Sequence, residues 1–469
     1  MFNFKTKQMR NYKYFLPLLF FIACIACNKK LDVQPQNNVT DIQTGDDVTA
    51  LLFGGYSLMQ NASAFGEQYI FIADLLANTD QVDFVGTFTD YKDIANKKQT
   101  KESAIASGMW ENSYLIIQNM NTVLDKINLV DADAQDEISA EAKFMRGVAY
   151  FELVNFFAQP YSAGNTTANP GVPLVLQPTY LYDSTKDKPA RASVEDIYKQ
   201  IIADLTDAAN GLPAMADNAR ATKFSAEAFL ARVYLNMGDY TNAAAMANDV
   251  INSGNFSLTS TYNQAFNNPS NSTEDVFGIQ QTAQSNAGTE DNGIVTFYRY
   301  AFNADGSNEG GRGDAQVDPK YLDHFDDPND FRQNYNAEGS SISGVDGTYA
   351  LKWLTFYRVI PVVRLAEMYL TRGEANLLKG GDPTGGVAPL DDINKVRERA
   401  GAADLLSVSD DDFVEERFRE LGYEGDRLWT LKRLKLAVGK YSYNDPKLVL
   451  PVPQREIDVN GNLTQNTGY

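Results

Sequence analysis

Three stretches of this 469-residue chain place a small residue three positions before a tyrosine: Gly147/Tyr150, Ala231/Tyr234 and Ala366/Tyr369. In a helix, positions three apart lie on one face. The small residue admits a neighbouring helix and the tyrosine fills the space beside it. The first stretch, 139–154, has apolar residues at helical spacing and a single glycine as breaker. The second, 224–250, carries Leu230-Ala231, Tyr234, Gly238-Asp239-Tyr240 and Ala243, which reads as helix, tight turn, helix. The third starts at Val362 and runs through Leu365-Ala366, Tyr369, Gly373 and Ala375 to Leu378. Further helices are expected over 48–60, 104–127, 194–210, 390–400 and 410–436.

These positions match the core of a tetratricopeptide-type helical pair. The expected fold class is therefore all-α, a tetratricopeptide-like superhelix of helical pairs. Stacked pairs leave a concave face that suits binding better than chemistry. Long polar segments at 61–103, 160–190, 255–318 and 333–351 make that face rich in loops, and loops of such length are usually functional. Composition agrees with a packed body: 43% of residues are hydrophobic and 22% charged. The net charge of −20 disfavours a nucleic-acid binder, which would need a basic footprint. The lone histidine, His324, excludes zinc sites built on several histidines. The two cysteines, Cys24 and Cys27, are both N-terminal, so no disulfide framework can staple the body.

The N-terminus reads as an address. Residues 1–13 hold Lys5, Lys7, Arg10 and Lys13 and no acid, and an apolar run fills 14–26. Thirteen helical residues reach roughly 20 Å, short of a ~30 Å hydrocarbon core. A basic head, a short apolar middle and small residues before a break describe a secretory signal peptide over 1–26, with the body at 27–469. Cys27, after Ala26 and before Asn28-Lys29-Lys30, is the expected lipidation site; Cys24, after Ala23, is its rival. Each buried acyl methylene contributes roughly 0.8 kcal/mol, so more than one chain gives a stable anchor. Without 1–26 the chain keeps 37 bases against 61 acids, a net of −24. Such a surface does not seek anionic lipid and would depend on its acyl chains.

Five stretches resemble the SusD/RagB family of outer-membrane nutrient-binding lipoproteins. Leu31-Asp32-Val33-Gln34-Pro35 after Cys27 is similar to the family's opening. Glu141-Ala142-Lys143-Phe144-Met145-Arg146-Gly147-Val148-Ala149-Tyr150-Phe151, followed by Gly171-Val172-Pro173-Leu174-Val175, resembles its early helix. Ala228-Phe229-Leu230-Ala231-Arg232-Val233-Tyr234 and Arg364-Leu365-Ala366-Glu367-Met368-Tyr369-Leu370 resemble its central repeats. Glu416-Arg417-Phe418-Arg419-Glu420-Leu421, Gly425-Asp426-Arg427 and Leu450-Pro451-Val452-Pro453-Gln454-Arg455-Glu456-Ile457 resemble its C-terminal signature. The resemblance implies a lipid-anchored, cell-surface protein of the outer membrane. It implies capture of an oligo- or polysaccharide and delivery to a SusC-like TonB-dependent transporter, with no catalysis and no cofactor.

Sugar sites set aromatic faces against ring C–H patches and satisfy the hydroxyls with polar side chains. The loop regions offer Phe65 and Tyr69, then Phe84, Phe88 and Tyr91, then Tyr298 and Tyr300, and the loop-side Trp353. Tyr298 and Tyr300 alternate with Arg299, a strand pattern that would expose one face. Trp110 and Trp429 lie in helices and read as structural. Asp323, Asp326, Asp327 and Asp330 could offer calcium its oxygens, but their spacing is not an EF-hand loop and a solvated turn is the plainer reading. His324 beside them reads as a surface or packing residue. Glu415, Glu416, Glu420 and Glu424 interleave with Arg417, Arg419 and Arg427, which favours salt-bridged structure over the two opposed carboxylates of a glycosidase. Arg312-Gly313-Asp314 carries no further signal. Two other readings stay open beside glycan capture: peptide binding by the same architecture, and a lipid-anchored glycoside hydrolase.

Overall fold

A helix forms wherever the sequence supplies a cap and an apolar stripe. The computed structural model describes residues 42–77, 80–181, 183–215 and 220–469. The expected signal peptide, Cys27 and the 31–35 motif lie outside the described residues. The longer helices, numbered in chain order, are α1 Gly45–Gln60, α2 Gln68–Ala77, α3 Ala104–Asp125, α4 Gln135–Phe157, α5 Val194–Gly211, α6 Lys223–Met237, α7 Tyr240–Asn252, α8 Leu365–Lys379, α9 Pro389–Ala400, α10 Asp410–Leu421 and α11 Asp426–Arg433. Thr44, Thr222 and Ser409 start α1, α6 and α10 with capping boxes, each satisfying amides that the first turn leaves free. Gly238, at φ +77, ends α6 and lets α7 fold back at once.

The helices pack in sequence order: α1 on α3, α3 on α4, α4 on α5, α5 on α6, α6 on α7, α7 on α8, and α8 on α9 and α10. This is the expected all-α, tetratricopeptide-like array. The small residues act as anticipated. A Cβ on Gly147 would sit 3.1 Å from Leu205 of α5, and one on Gly373 would sit 2.7 Å from Phe413 of α10. Ala231 and Ala366 are fully buried. Tyr150 is buried too, and its hydroxyl donates to the Val175 carbonyl at 2.8 Å while accepting from the Val175 amide at 2.7 Å. That pair ties the loop after α4 to the helix face.

Three expected elements differ. Residues 360–364 form a strand, not the start of a helix, and α8 begins at Leu365. The 410–436 helix is two helices. Its break holds Tyr423 at φ +66 and Gly425 at φ +81, and a Cβ on Gly425 would come within 3.3 Å of the Ile70 backbone. Glycine is the residue that suits both the dihedral and the close approach. The 61–103 loop contains α2 and a short helix, Thr89–Ala95.

The strands are short and mostly paired at distance. β4 (Asp275–Ile279) runs antiparallel to β9 (Ile360–Arg364), which brackets the long insertion between α7 and α8. β1 (Val82–Phe84) pairs with β6 (Ala315–Val317), β2 (Pro170–Pro173) pairs with β3 (Arg191–Ser193), and β5 (Phe302–Asn303), β7 (Asn336–Ser340) and β8 (Asp346–Ala350) form a small sheet.

Where the insertion meets the repeats, a charge network is buried except at the partly exposed Glu424. Arg364 pairs with Glu274 at 3.0 Å, Glu420 at 2.9 Å and Glu424 at 2.7 Å. Arg399 reaches Glu274 at 2.6 Å and also Glu420. Arg332 binds Asp330 and Glu416, both at 2.6 Å, and Arg397 adds a second contact to Glu416. Burial alone would raise the Glu420 carboxyl; Arg399, Arg364 and Arg332 instead hold it at about 2. The sequence reading anticipated salt bridges within one helix. Most partners instead come from other elements, and Arg419 to Glu416 at 3.4 Å is an intrahelical exception. Removing one member strands a buried charge, so Arg364→Ala should lower the unfolding free energy by about 3–5 kcal/mol in urea titrations at pH 7.

Candidate functional site

The sequence-predicted aromatics divide into three places. The largest group assembles around Phe71 of α2, which is fully buried. Phe71 stacks on Phe297 with centroids 5.1 Å apart, and Tyr298, Tyr91 and Phe84 surround it at 5.3, 5.5 and 6.2 Å. Phe88 packs on Tyr91 at 6.1 Å and on Phe297 at 6.2 Å.

Two buried carboxylates pin this group. Glu67, just before α2, accepts hydrogen bonds from the Tyr91 hydroxyl and, at 2.7 Å, from the Gly293 amide. Asp74 of α2 accepts from the Tyr298 hydroxyl at 2.7 Å, from the Gly425 amide at 3.1 Å and from Gln81 at 3.1 Å. Burial pushes both carboxyls up to about 7 against those hydrogen bonds. Tyr91 and Tyr298 therefore spend their hydroxyls inside, and Tyr298 is only 1% exposed. Tyr298 ends a short helix, Ile294–Tyr298, so the expected strand with an open face is not present there.

The rim of the group is open. Phe84 and Phe88 are half-buried, as is Tyr300, whose ring meets Tyr349 at 5.7 Å. The Arg312 guanidinium lies 4.1 Å over the Phe88 ring and is held by Asp314 at 2.8 Å and Asp291 at 3.3 Å. Arg299 lies 5.4 Å over the half-buried Phe356 and pairs with Glu309 at 2.7 Å. Tyr357, 37% exposed, stands beside Phe356 at φ +60. A bulky residue at positive φ is uncommon and costs backbone energy. The face thus offers flat rings, each with a fixed cation or a neighbouring ring.

Phe65 and Tyr69 lie elsewhere. Their rings meet edge-on at 5.0 Å, Tyr69 stacks on Phe156 at 6.2 Å, and its hydroxyl is hydrogen-bonded to Ser113 at 2.6 Å. Both are buried and line a 60 Å³ cavity between α4, α6, α8 and α11. Trp353 is separate again. It is 2% exposed, sits in a 3₁₀ turn rather than an open loop, and its indole donates to the Tyr423 carbonyl at 2.8 Å. Trp110 and Trp429 pack edge-on against Phe157 and Phe156, at 5.1 and 5.0 Å. Asp330 is committed to Arg332, and Asp327 accepts the Ala403 amide at 2.7 Å. Among the described residues no three acidic, histidine or cysteine side chains are placed to hold a metal. His324 meets Glu415 at 2.6 Å and lies edge-on to Phe418.

Sequence reasoning missed Arg312, Arg299, Phe356 and Tyr357. The rings that Arg312 and Arg299 cover lie far away along the chain, so no local pattern announces either pairing. The adjacent Phe356-Tyr357 pair was the one local signal available.

The profile of a family described as "Starch-binding associating with outer membrane" matches residues 30–235, and that of the SusD family matches 358–448. SusD-like protein P2 of Formosa agariphila is 25% identical over 91% of this chain and 93% of its own length. The starch-binding protein SusD of Bacteroides thetaiotaomicron is 34% identical over 29% of this chain and 25% of its own. Among solved structures, a SusD superfamily protein of Bacteroides thetaiotaomicron superposes with a TM-score of 0.80 at 27% identity, covering 90% of this chain and all of its own. A putative sugar-binding protein of Bacteroides vulgatus gives 0.79 at 25% identity, covering 91% and 99%. The fold is that of helical-repeat proteins with a long insertion. The chain belongs to the SusD/RagB family. Among the described residues, no helix is long and apolar enough to cross a membrane.

One carboxylate of the 60 Å³ cavity is unmatched. Arg232 pairs with Glu367, Arg417 with Asp426 and Arg433 with Glu374, whereas Glu152 makes no hydrogen bond among the described residues. Burial raises its carboxyl from 4.5 to about 8, with Arg232 pulling the other way. The folded chain therefore keeps a proton that the unfolded chain releases. The associated stability is complete below pH 4.5 and lost as pH rises through about 8. Glu152→Gln should match the parent protein in urea at pH 5 and exceed it by roughly 2–4 kcal/mol at pH 9.

Proposed function

We propose that the protein is a glycan-binding lipoprotein of the outer-membrane surface, anchored through acylated Cys27. It captures oligo- or polysaccharide on its aromatic face and passes it to a SusC-like TonB-dependent transporter. The observation that carries this reading is the pairing of half-buried rings with fixed guanidinium groups, Phe88 under Arg312 and Phe356 under Arg299. A pyranose ring presents an apolar C–H patch and a girdle of hydroxyls. A flat ring takes the first, and the guanidinium and carboxylates around it take the second. The starch-binding family and the starch-binding relative to which the chain is similar support the same ligand class. No bond-breaking step is assigned to any residue. The overall negative charge disfavours strongly anionic polysaccharides by repulsion.

Affinity electrophoresis through gels containing starch, xylan or β-glucan tests the reading. Retention is expected in at least one gel, with Phe88→Ala and Arg312→Ala each weakening it about tenfold. Free migration in every gel together with co-purifying peptide would overturn the glycan in favour of a peptide. For the anchor, Cys27→Ser should move the protein from the envelope pellet to the soluble fraction.

A further inference from the structure

The two guanidinium groups of the aromatic face are neutralised without being used up. Arg312 gives its Nε to Asp314 at 2.8 Å and its Nη1 to Asp291 at 3.3 Å. Arg299 gives its Nη2 to Glu309 at 2.7 Å. Among the described residues Arg312 Nη2 and Arg299 Nη1 make no hydrogen bond, and neither atom is enclosed. Each cation therefore keeps one open nitrogen beside the ring it covers.

The surrounding chain fixes this arrangement. Asp314 is fully buried. The Arg312 amide donates to the Thr296 carbonyl at 2.7 Å, and its carbonyl accepts from the Ile342 amide at 2.7 Å. Glu309 accepts from the Asn303 side-chain amide at 2.5 Å, and its backbone amide donates to the Ala301 carbonyl at 2.8 Å. Segment 309–312 can lie this close because position 311 is glycine; a Cβ there would overlap the Arg299 carbonyl. Asp291 is held differently. Its side chain is 69% exposed and among the described residues meets only Arg312.

Two cations thus face three carboxylates, a local net of −1. An open N–H beside balanced charge suits a sugar hydroxyl, which is neutral and accepts a hydrogen bond. A carboxylate brought to the same nitrogen would lie within a few ångströms of Asp291 or Glu309. Like charges at that range repel, and more so at a partly desolvated surface. The charge of the whole molecule does not supply this choice in salt, because its field is largely screened beyond about 8 Å at 0.15 M. Asp291 and Glu309 act inside that distance.

We propose that Asp291 and Glu309 set the specificity of the aromatic face for uncharged saccharides, balancing Arg312 and Arg299 while leaving each a donor for a sugar hydroxyl. The inference rests on the glycan-binding reading and adds the residues that turn away uronic-acid units. Both acids act through the arginines. Neutralising them exposes two cations beside flat rings, which is a site for carboxylated sugars.

Affinity electrophoresis of the detergent-purified full chain in 0.15 M salt tests this. The gels hold starch, xylan or β-glucan, each also as a hydroxyethyl and a carboxymethyl derivative of equal substitution; the hydroxyethyl form controls for bulk. The parent protein should be retained by a native polysaccharide and its hydroxyethyl form and should migrate freely in the carboxymethyl form. Asp291→Asn combined with Glu309→Gln should bind the carboxymethyl form about tenfold more tightly than the parent does. Adding Arg312→Ala should remove that gain. A control pair on the helical array, Asp133→Asn with Glu398→Gln, changes the net charge equally and should leave every gel unchanged. If the double variant fails to fold, the exposed Asp291→Asn alone decides. Equal retention of the parent by the carboxymethyl and hydroxyethyl forms would overturn the inference, as would a variant without the gain or a control pair that shows it. Free migration of the parent in every neutral gel would instead overturn the glycan reading, and this inference with it.

Discussion

Five carboxylates and five cations, all buried except the partly exposed Glu424, hold the insertion onto the helical array. Glu274, Asp330, Glu416, Glu420 and Glu424 face Arg332, Lys352, Arg364, Arg397 and Arg399. Taking an ion out of water costs several kcal/mol, and only close, multiply bonded partners offset it. Such a network tolerates little displacement. Its members come from the residue before β4, the turn around 330, the segment before Trp353, the β9–α8 junction, α9, α10 and the turn between α10 and α11. Lys352 donates to the carbonyls of Glu420 and Gly422, and Trp353 beside it donates to Tyr423. The insertion between α7 and α8 therefore keeps one orientation relative to the repeats.

That orientation sets the aromatic face. Asp74 joins α2, the Tyr298 segment and the Gly425 turn at one carboxylate, so the C-terminal helices and the insertion share an anchor. Glu67 does the same for Tyr91 and Gly293. With these hydroxyls and amides satisfied inside, the outer rings are left at the surface. Rigid presentation lowers the ordering cost of binding, as the proposed capture of a flexible oligomer requires.

Much of the scaffold was legible because helical periodicity and caps are local. The stretch at 104–125 begins at Ser103 and ends close to its expected limit, and 48–60, 194–210 and 390–400 deviate by a few residues. The errors have local geometry but distant causes. The break at 422–425 exists because Ile70 approaches Gly425, and residues 360–364 are extended because β4 waits beside them. The aromatic residues were legible as types but not by exposure. Phe65, Tyr69, Tyr91, Tyr298 and Trp353 all sit in polar or short apolar surroundings along the chain, yet each is buried by partners from other segments.

The amino-acid sequence by itself determined the helical pairs, their small-residue contacts and the acidic character of the surface, since each follows from spacing or composition within a few turns. Tertiary structure alone decided which rings face solvent, which arginines cover them, and which carboxylates lie without partners. Burial and charge pairing depend on segments hundreds of residues apart meeting in a low-dielectric interior, where the energy of a polar group is set by its neighbours in space.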